Sequence, residues 1–88
     1  MNSRTHAEFW SRYNDLPPEV RRLAQSAYRL FRQDPFHASL QFKPAKGHRN
    51  LYSVRIGLKY RALGTMTGIN EITWFWIGTH DEYDTLLR

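Results

Sequence analysis

The chain has 88 residues, 41% hydrophobic and 15% aromatic, so it can form one packed domain (residues 1–88) but has no room for a second. No stretch approaches the roughly 18 apolar residues that a membrane-spanning helix requires, which excludes a helical membrane protein. There is no cysteine, which excludes disulfides and thiolate chemistry, and we expect a soluble, cytoplasmic protein with no membrane partner.

The net charge of +5 is unevenly distributed along the chain. Residues 1–61 hold twelve bases and four acids, whereas residues 62–88 hold one base and four acids. Between Pro35 and Arg61 there are six cations and no acid. Such a field attracts polyanions, which favours a nucleic acid or an acidic protein as the partner. The alternative is a basic surface that is simply solvated.

Two helices are predicted in the first third of the chain. Thr5 and Glu8 have the spacing of a capping box, and the apolar residues after them recur at helical spacing, which predicts a short first helix. Pro17-Pro18 ends that helix and begins the second, because proline fits a first helical turn. An apolar stripe from Val20 to Phe31 marks the buried side of the second helix, and Asp34-Pro35 ends it.

From Leu40 onward the apolar period becomes two, which is typical of strands. A short edge segment is predicted at 40–43, followed by strands at 51–57, 60–66 and 72–77. Short connections make such neighbours antiparallel. The expected fold class is therefore α+β, with two N-terminal helices on one face of an antiparallel three- to four-stranded sheet and a short C-terminal helical turn.

Two arginines have matching phases in neighbouring strands. Ser53 and Arg55 share one side of their strand, and Lys59 and Arg61 share one side of the next. If those sides coincide, the two arginines converge beside the basic loop 44–50. The alternative is that they only solvate an exposed face of the sheet.

The last segment, WFWIGTHDEYDTLL, passes from an apolar strand directly into His80. Histidine titrates near neutrality and can act as an acid or a base. The alternative is that Thr79 and Glu82 form a capping box and that the segment only starts a helix. A zinc site built from the four histidines is not expected, because no two have the close spacing of a metal motif.

Two segments resemble the RelE/ParE toxin superfamily of type II toxin–antitoxin systems: YSVRIGLKYRALG (52–64) and ITWFWIGTHDEYDTLL (72–87). Residues 16–43 look like the helix and first sheet segment of the same family, so the resemblance covers nearly the whole chain. It implies a compact domain of helices against an antiparallel sheet. RelE-like members are ribonucleases that cut mRNA, mostly in the ribosomal A site, while ParE-like members poison DNA gyrase, and fold alone does not separate the two.

The resemblance also implies a set of site residues. The strand cations would be Arg55 and Arg61, the histidine after the last strand would be His80, and Tyr83 would be an aromatic partner. RNA cleavage by its own 2′-hydroxyl needs a base, cations and an acid but no metal, so no metal and no cofactor are expected. The four cations and one histidine expected to bind RNA are Lys43, Lys46, His48, Arg49 and Lys59.

The sequence departs from the family in two respects. The pattern above predicts that the chain begins with a helix rather than with the family's N-terminal strand, and Ser53 stands where RelE has a catalytic lysine. The second departure leaves fewer cations, so nuclease chemistry would depend more on His80. The predicted function is a RelE-like mRNA interferase that acts on mRNA at the ribosome and is silenced by a cognate antitoxin. The alternatives are a ParE-like gyrase toxin and a degenerate binding module without toxicity.

Overall fold

The computed structural model describes residues 1–45 and 47–88, which form a five-stranded sheet, three α-helices and a short 3₁₀ helix. The elements in chain order are β1 (Asn2–Thr5), α1 (Ala7–Asn14), α2 (Pro18–Gln33), the 3₁₀ helix (Ala38–Leu40), β2 (Lys43–Pro44), β3 (Leu51–Ile56), β4 (Tyr60–Gly68), β5 (Glu71–Thr79) and α3 (His80–Leu86).

The strands lie in the order β1-β5-β4-β3-β2. Strands β2 to β5 form antiparallel pairs, whereas β1 pairs parallel with β5, placing Asn2 opposite Glu71. The α+β class is confirmed, but the sheet has five strands and is mixed, so the expected antiparallel sheet of three to four strands is wrong. The expected absence of an N-terminal strand is also wrong. Strand β1 has no apolar alternation because it is a largely exposed edge strand, and its pairing depends on backbone about 70 residues away.

The ends of the helices mostly follow the sequence signals. Helix α2 begins at Pro18 and is followed by Asp34, as predicted. The cap of α1 is an exception, because His6 is its N-cap and its Nδ1 atom accepts the backbone N–H of Glu8 at 3.2 Å. The Thr5 hydroxyl instead accepts a hydrogen bond from the Trp10 indole at 2.8 Å. None of the helices in the described part of the chain combines the length and the apolarity needed to cross a bilayer.

Helices α1 and α2 cover one face of the sheet, which confirms the predicted layering. In the core beneath them, Phe31 of α2 meets the Trp74 ring edge-on, with 5.5 Å between ring centroids. The sheet residues buried on this face, which we call the helix face, are Val54, Ile56, Ala62, Ile72, Trp74 and Ile77.

A bulge in β5 sends two tryptophans to opposite faces of the sheet. Trp74 pairs with Gly64 and Trp76 pairs with Leu63, so Phe75 is an extra residue between two consecutive pairs. Trp74 therefore joins the helix-face core, while Trp76 packs in a smaller cluster on the other side. Tyr83 of α3 and Leu87, the residue after the helix, pack against this second cluster, and the neighbouring part of this second face carries Ser53, Arg55 and Arg61.

Candidate active site

Arg55 and Arg61 lie directly opposite each other on β3 and β4. Opposed residues of an antiparallel pair point to the same side, so the predicted convergence on one face is confirmed. Both arginines lie on the second face, and Arg55 also borders a hollow lined by residues of α2. Backbone carbonyls orient them: the Arg55 Nε donates to the oxygen of Gly57 at 3.0 Å, and the Arg61 Nη1 donates to the oxygen of Tyr60 at 2.8 Å.

The environment of Arg61 makes its positive charge costly in the free protein. Burial first, and then the charge of Arg55, lower the pKa of Arg61 below its ordinary value, while Tyr83 and Asp84 act in the opposite direction. Arginine stays protonated under these conditions. An anion that contacts both guanidinium groups would offset their repulsion, so the pair has the electrostatics of a phosphate site.

His80 begins α3 immediately after β5 and has a firmly held backbone. The predicted capping box is confirmed, because the Thr79 hydroxyl accepts the Glu82 N–H at 3.1 Å and Glu82 Oε1 accepts the Thr79 N–H at 2.8 Å. These hydrogen bonds, the backbone one first, lower the pKa of Glu82. The His80 N–H donates to the carbonyl of Lys59 at 2.7 Å, which ties the helix start to the β3–β4 turn.

The side chain of His80 is 44% exposed and has two close neighbours on its own helix. Its Nδ1 lies 3.2 Å from Oδ2 of Asp84, and its ring centroid lies 6.2 Å from that of Tyr83. The Tyr83 ring also lies 6.5 Å from Trp76 of the second cluster. Tyr83 thus connects the packed part of the second face with its polar part.

An open cleft of about 410 Å³ brings the predicted residues together. All four residues assigned to catalysis line it: Arg55, Arg61, His80 and Tyr83. A second depression, of about 550 Å³, lies on the other side of the shared pair Arg61 and His80 and is bordered by Lys59. These two side chains therefore separate two adjoining hollows, each with a further cation.

The position of Lys43 bears on the serine that departs from the family pattern. Lys43 in β2 is directly opposite Ser53 in β3, so the two residues point to the same face, and both line the cleft. Ser53 itself is only 3% exposed. Lys43 therefore places a cation on the neighbouring strand, directly opposite Ser53, the position at which the resemblance leads one to expect a lysine.

The other predicted RNA-binding residues lie at different distances from the cleft. His48 and Arg49 are exposed in the loop between β2 and β3 and line neither hollow, while Lys46 is outside the described residues. Sequence reasoning missed Asp84, although its spacing of four residues from His80 on a predicted helix was a usable signal.

Gly78 was also missed and lies directly opposite Arg61. A Cβ atom there would be 2.7 Å from the Trp76 ring and 2.9 Å from the Glu82 carboxylate. Its lack of a side chain lets the indole and the helix start approach the strand beside the arginine. Nothing in the local sequence pattern indicates this close approach.

His80, Asp81 and Asp84 bring a ring nitrogen and two carboxylates within 4.8 Å of one another, which is a possible grouping for a metal ion. Both aspartates are exposed, however, and an acidic residue such as Asp81 is favoured in a first helical turn whether or not an ion binds. The grouping does not by itself indicate a metal. Among the described residues, which include all four histidines, no metal grouping joins two of them.

The fold is similar to that of small bacterial and archaeal toxins. The chain is similar to the RelB–RelE antitoxin–toxin complex from Methanococcus jannaschii, with a TM-score of 0.75, 16% identity, and coverage of 97% of this chain and 99% of that chain. It is also similar to the YoeB/ParE toxin from Agrobacterium tumefaciens, with a TM-score of 0.69, 18% identity, and coverage of 91% and 99%. For the RelBE2 toxin–antitoxin complex from Mycobacterium tuberculosis the TM-score is 0.66, the identity 16% and the coverage 90% of each chain.

The sequence itself gives the family. Residues 18–85 match the model of the ParE-like toxin domain, and the chain belongs to that family. No curated protein sequence matches the chain. The resemblance to the RelE/ParE superfamily is therefore confirmed, and the protein is a toxin of the kind found in toxin–antitoxin systems.

Proposed function

We propose that this toxin is an endoribonuclease that cleaves mRNA, with ribosome-bound message as its substrate and no need for a metal ion. The observation that carries the proposal is the cleft in which His80 lies beside the opposed pair Arg55 and Arg61. A group that can transfer a proton and two cations on one rigid sheet are the components that phosphodiester cleavage requires. A gyrase toxin has no need of a proton-transfer residue at this place.

In the proposed reaction the RNA supplies its own nucleophile. The 2′-oxygen attacks the adjacent phosphorus, the bond from phosphorus to O2′ forms, and the bond from phosphorus to O5′ breaks. The products are a 2′,3′-cyclic phosphate and a 5′-hydroxyl. His80 exchanges a proton with one of the two reacting oxygens, and water in the open cleft exchanges the proton at the other.

The cations hold the charge that accumulates on the phosphorane. Arg55 and Arg61 offer planar donors to the non-bridging oxygens, and their mutual repulsion is relieved when an anion is bound between them. We assign to Lys43 the position of the cation that Ser53 does not supply, because the two residues are opposed and face the same cleft.

The remaining site residues bind and align the RNA. Tyr83 supports the His80 ring on one side and offers an aromatic face to a base. Lys59 borders the second hollow, so a strand crossing Arg61 and His80 meets a cation on each side. The exposed residues His48 and Arg49 of the loop before β3 contact the backbone of the message, and RNA binding is assigned to Lys46 on its charge alone.

We further propose that a cognate antitoxin silences the toxin in the cytoplasm, where message and ribosomes are found. Two of the similar structures are antitoxin–toxin complexes. Because residues 35–61 carry six cations and no acid, the masking segment should be at least partly acidic. Its affinity should then fall as salt rises; an affinity that does not change with salt would favour a mainly apolar contact.

The deciding experiment compares two targets with one preparation. Purified toxin is incubated with mRNA, with and without ribosomes, and in parallel with gyrase and relaxed plasmid. The proposal requires cleaved RNA with 2′,3′-cyclic phosphate ends and normal supercoiling. Intact RNA in the presence of ribosomes, together with lost supercoiling, would replace it with the ParE-like function. No effect in either assay would favour a binding module.

A further inference from the structure

Asp84 lies one helical turn after His80 and, among the described residues, is the acid that forms an ion-pair contact with the His80 ring; the carboxylate of Asp81 is also nearby, within 4.8 Å. Its Oδ2 is 3.2 Å from Nδ1, a separation suited to a hydrogen bond, and residues spaced by four lie on one side of a helix. His80 also lines the cleft. With Nδ1 turned to Asp84, Nε2 is the ring nitrogen left for the substrate.

We propose that Asp84 is a positioning residue for His80: its carboxylate accepts the proton on Nδ1 and so makes Nε2 the nitrogen that transfers the proton in the cleft. The inference rests on the proposed ribonuclease function and deepens it by naming the reacting atom. A neutral imidazole has one N–H and one lone pair, and the partner of one nitrogen decides the state of the other. Without Asp84, the ring in water would keep its proton mainly on Nε2.

Other charged groups lie around the ring and give Asp84 its distinct position. Arg61 approaches from β4 and Lys59 from the turn before it, while Asp81 and Tyr83 belong to α3. Asp84 is close enough to Arg61 for its charge to act against the lowering of the Arg61 pKa. One carboxylate thus acts on both groups that the mechanism uses. As a purely structural pair it would contribute little, because the two side chains are 44% and 54% exposed.

Two other histidines provide an internal contrast. The Nδ1 atoms of His6 and His37 accept backbone N–H groups, from Glu8 and Ser39, each at 3.2 Å. In the neutral ring an accepting Nδ1 has no proton, so both histidines are expected to carry it on Nε2; the Nδ1 of His37 then also accepts the Ser39 hydroxyl, 2.9 Å away. His80 is expected to be the opposite tautomer, and all three can be observed in one sample.

The test uses nitrogen NMR of the histidine rings in the full-length toxin, at alkaline pH where the rings are neutral. The His80 signals are identified by their loss in His80→Gln. The wild type should show His80 with its proton on Nδ1, and Asp84→Ala should move that proton to Nε2. Asp84→Asn should keep the wild-type tautomer, because an amide oxygen still accepts the N–H. Asp15→Asn, at an exposed aspartate outside both hollows, is the charge-matched control and should leave the His80 tautomer unchanged.

Measurements of RNA cleavage then distinguish a positioning role of Asp84 from a purely structural role. Asp84→Ala should slow single-turnover cleavage about tenfold, far less than the roughly 10⁴-fold seen when a buried triad aspartate is replaced, because Asp84 is half exposed. Asp84→Asn should retain more activity than Asp84→Ala. Circular dichroism and urea unfolding must show both variants to be folded.

The outcomes are distinct. A wild-type proton on Nε2, or a tautomer unchanged in Asp84→Ala, would overturn the proposed contact whether or not the protein cuts RNA. A shifted tautomer with undiminished cleavage would overturn the catalytic consequence and leave the ribonuclease function intact. If the wild type cuts no RNA even with ribosomes, the proposed function fails, and the catalytic part of this inference fails with it.

Discussion

The two faces of the sheet are made from alternate residues of the same strands but serve different ends. On the helix face, β3 and β4 contribute Val54, Ile56 and Ala62, all buried under α1 and α2. On the second face, the same strands contribute Arg55 and Arg61, which stay partly exposed beside a small apolar cluster. Neighbouring residues of each strand therefore contribute to different properties, one to stability and the next to the proposed chemistry. Substitutions on the two faces should have separable effects.

The largest effect is expected on the helix face. Ile72 is fully buried, so Ile72→Ala should lower the free energy of unfolding by about 2–5 kcal/mol through lost burial and a residual cavity. Urea unfolding measures this. The matched control, Ile72→Val, should cost only about 0.5–1.5 kcal/mol. If the two variants were equally stable, the helix face would not be the main source of stability.

His80→Ala should produce the opposite result on the second face. RNA cleavage should fall on the order of 10²-fold or more, because one acid or base typically supplies that much. The free energy of unfolding should change by less than about 0.5 kcal/mol, since the side chain is largely exposed. His37→Ala, at an exposed histidine outside the cleft, serves as the control and should cleave normally. Full toxicity of His80→Ala in cells would contradict the proposed function.

Arg61→Ala should have a smaller effect on cleavage, about 10-fold to 10²-fold, at or below the loss seen when one preorganised donor is removed from an oxyanion site. Because arginine does not titrate near neutrality, the remaining activity should keep the shape of the wild-type pH profile. Arg22→Ala, on the exposed side of α2, is the matched control. Equal losses in both variants would mean that general positive charge, rather than the opposed pair, is responsible.

The smallest effect concerns the capping box that holds the start of α3. The pKa of Glu82 is lowered in the folded protein by its hydrogen bonds to Thr79, so its contribution is present above the unfolded value near 4.5. That contribution is lost as the pH falls through the folded pKa. Glu82→Gln should therefore be less stable than the wild type at neutral pH, by about 0.5 kcal/mol, and equally stable in acid.

Urea midpoints at several pH values test this dependence. Glu19→Gln, an exposed acid in the first turn of α2, should show a smaller change with pH, because no capping box involves it. A wild-type advantage over Glu82→Gln that persists in strong acid would show that the carboxylate charge is not the stabilising element.

Local patterns in the sequence determined much of this protein. The apolar stripe of α2, the period-two strands and the capping box at Thr79 act over a few residues, so their signals can be read directly. The convergence of Arg55 and Arg61 could also be predicted, because a short turn and a fixed period of two leave little freedom in register.

Tertiary structure alone decided the remaining features, since they depend on partners far apart in sequence or on breaks in a period. Strand β1 forms because its backbone pairs with that of β5, although its residues show no strand pattern. The bulge at Phe75 reverses the alternation and separates Trp74 from Trp76. The placement of Lys43 opposite Ser53 follows from the pairing of a two-residue edge strand, which is too short to have a detectable period.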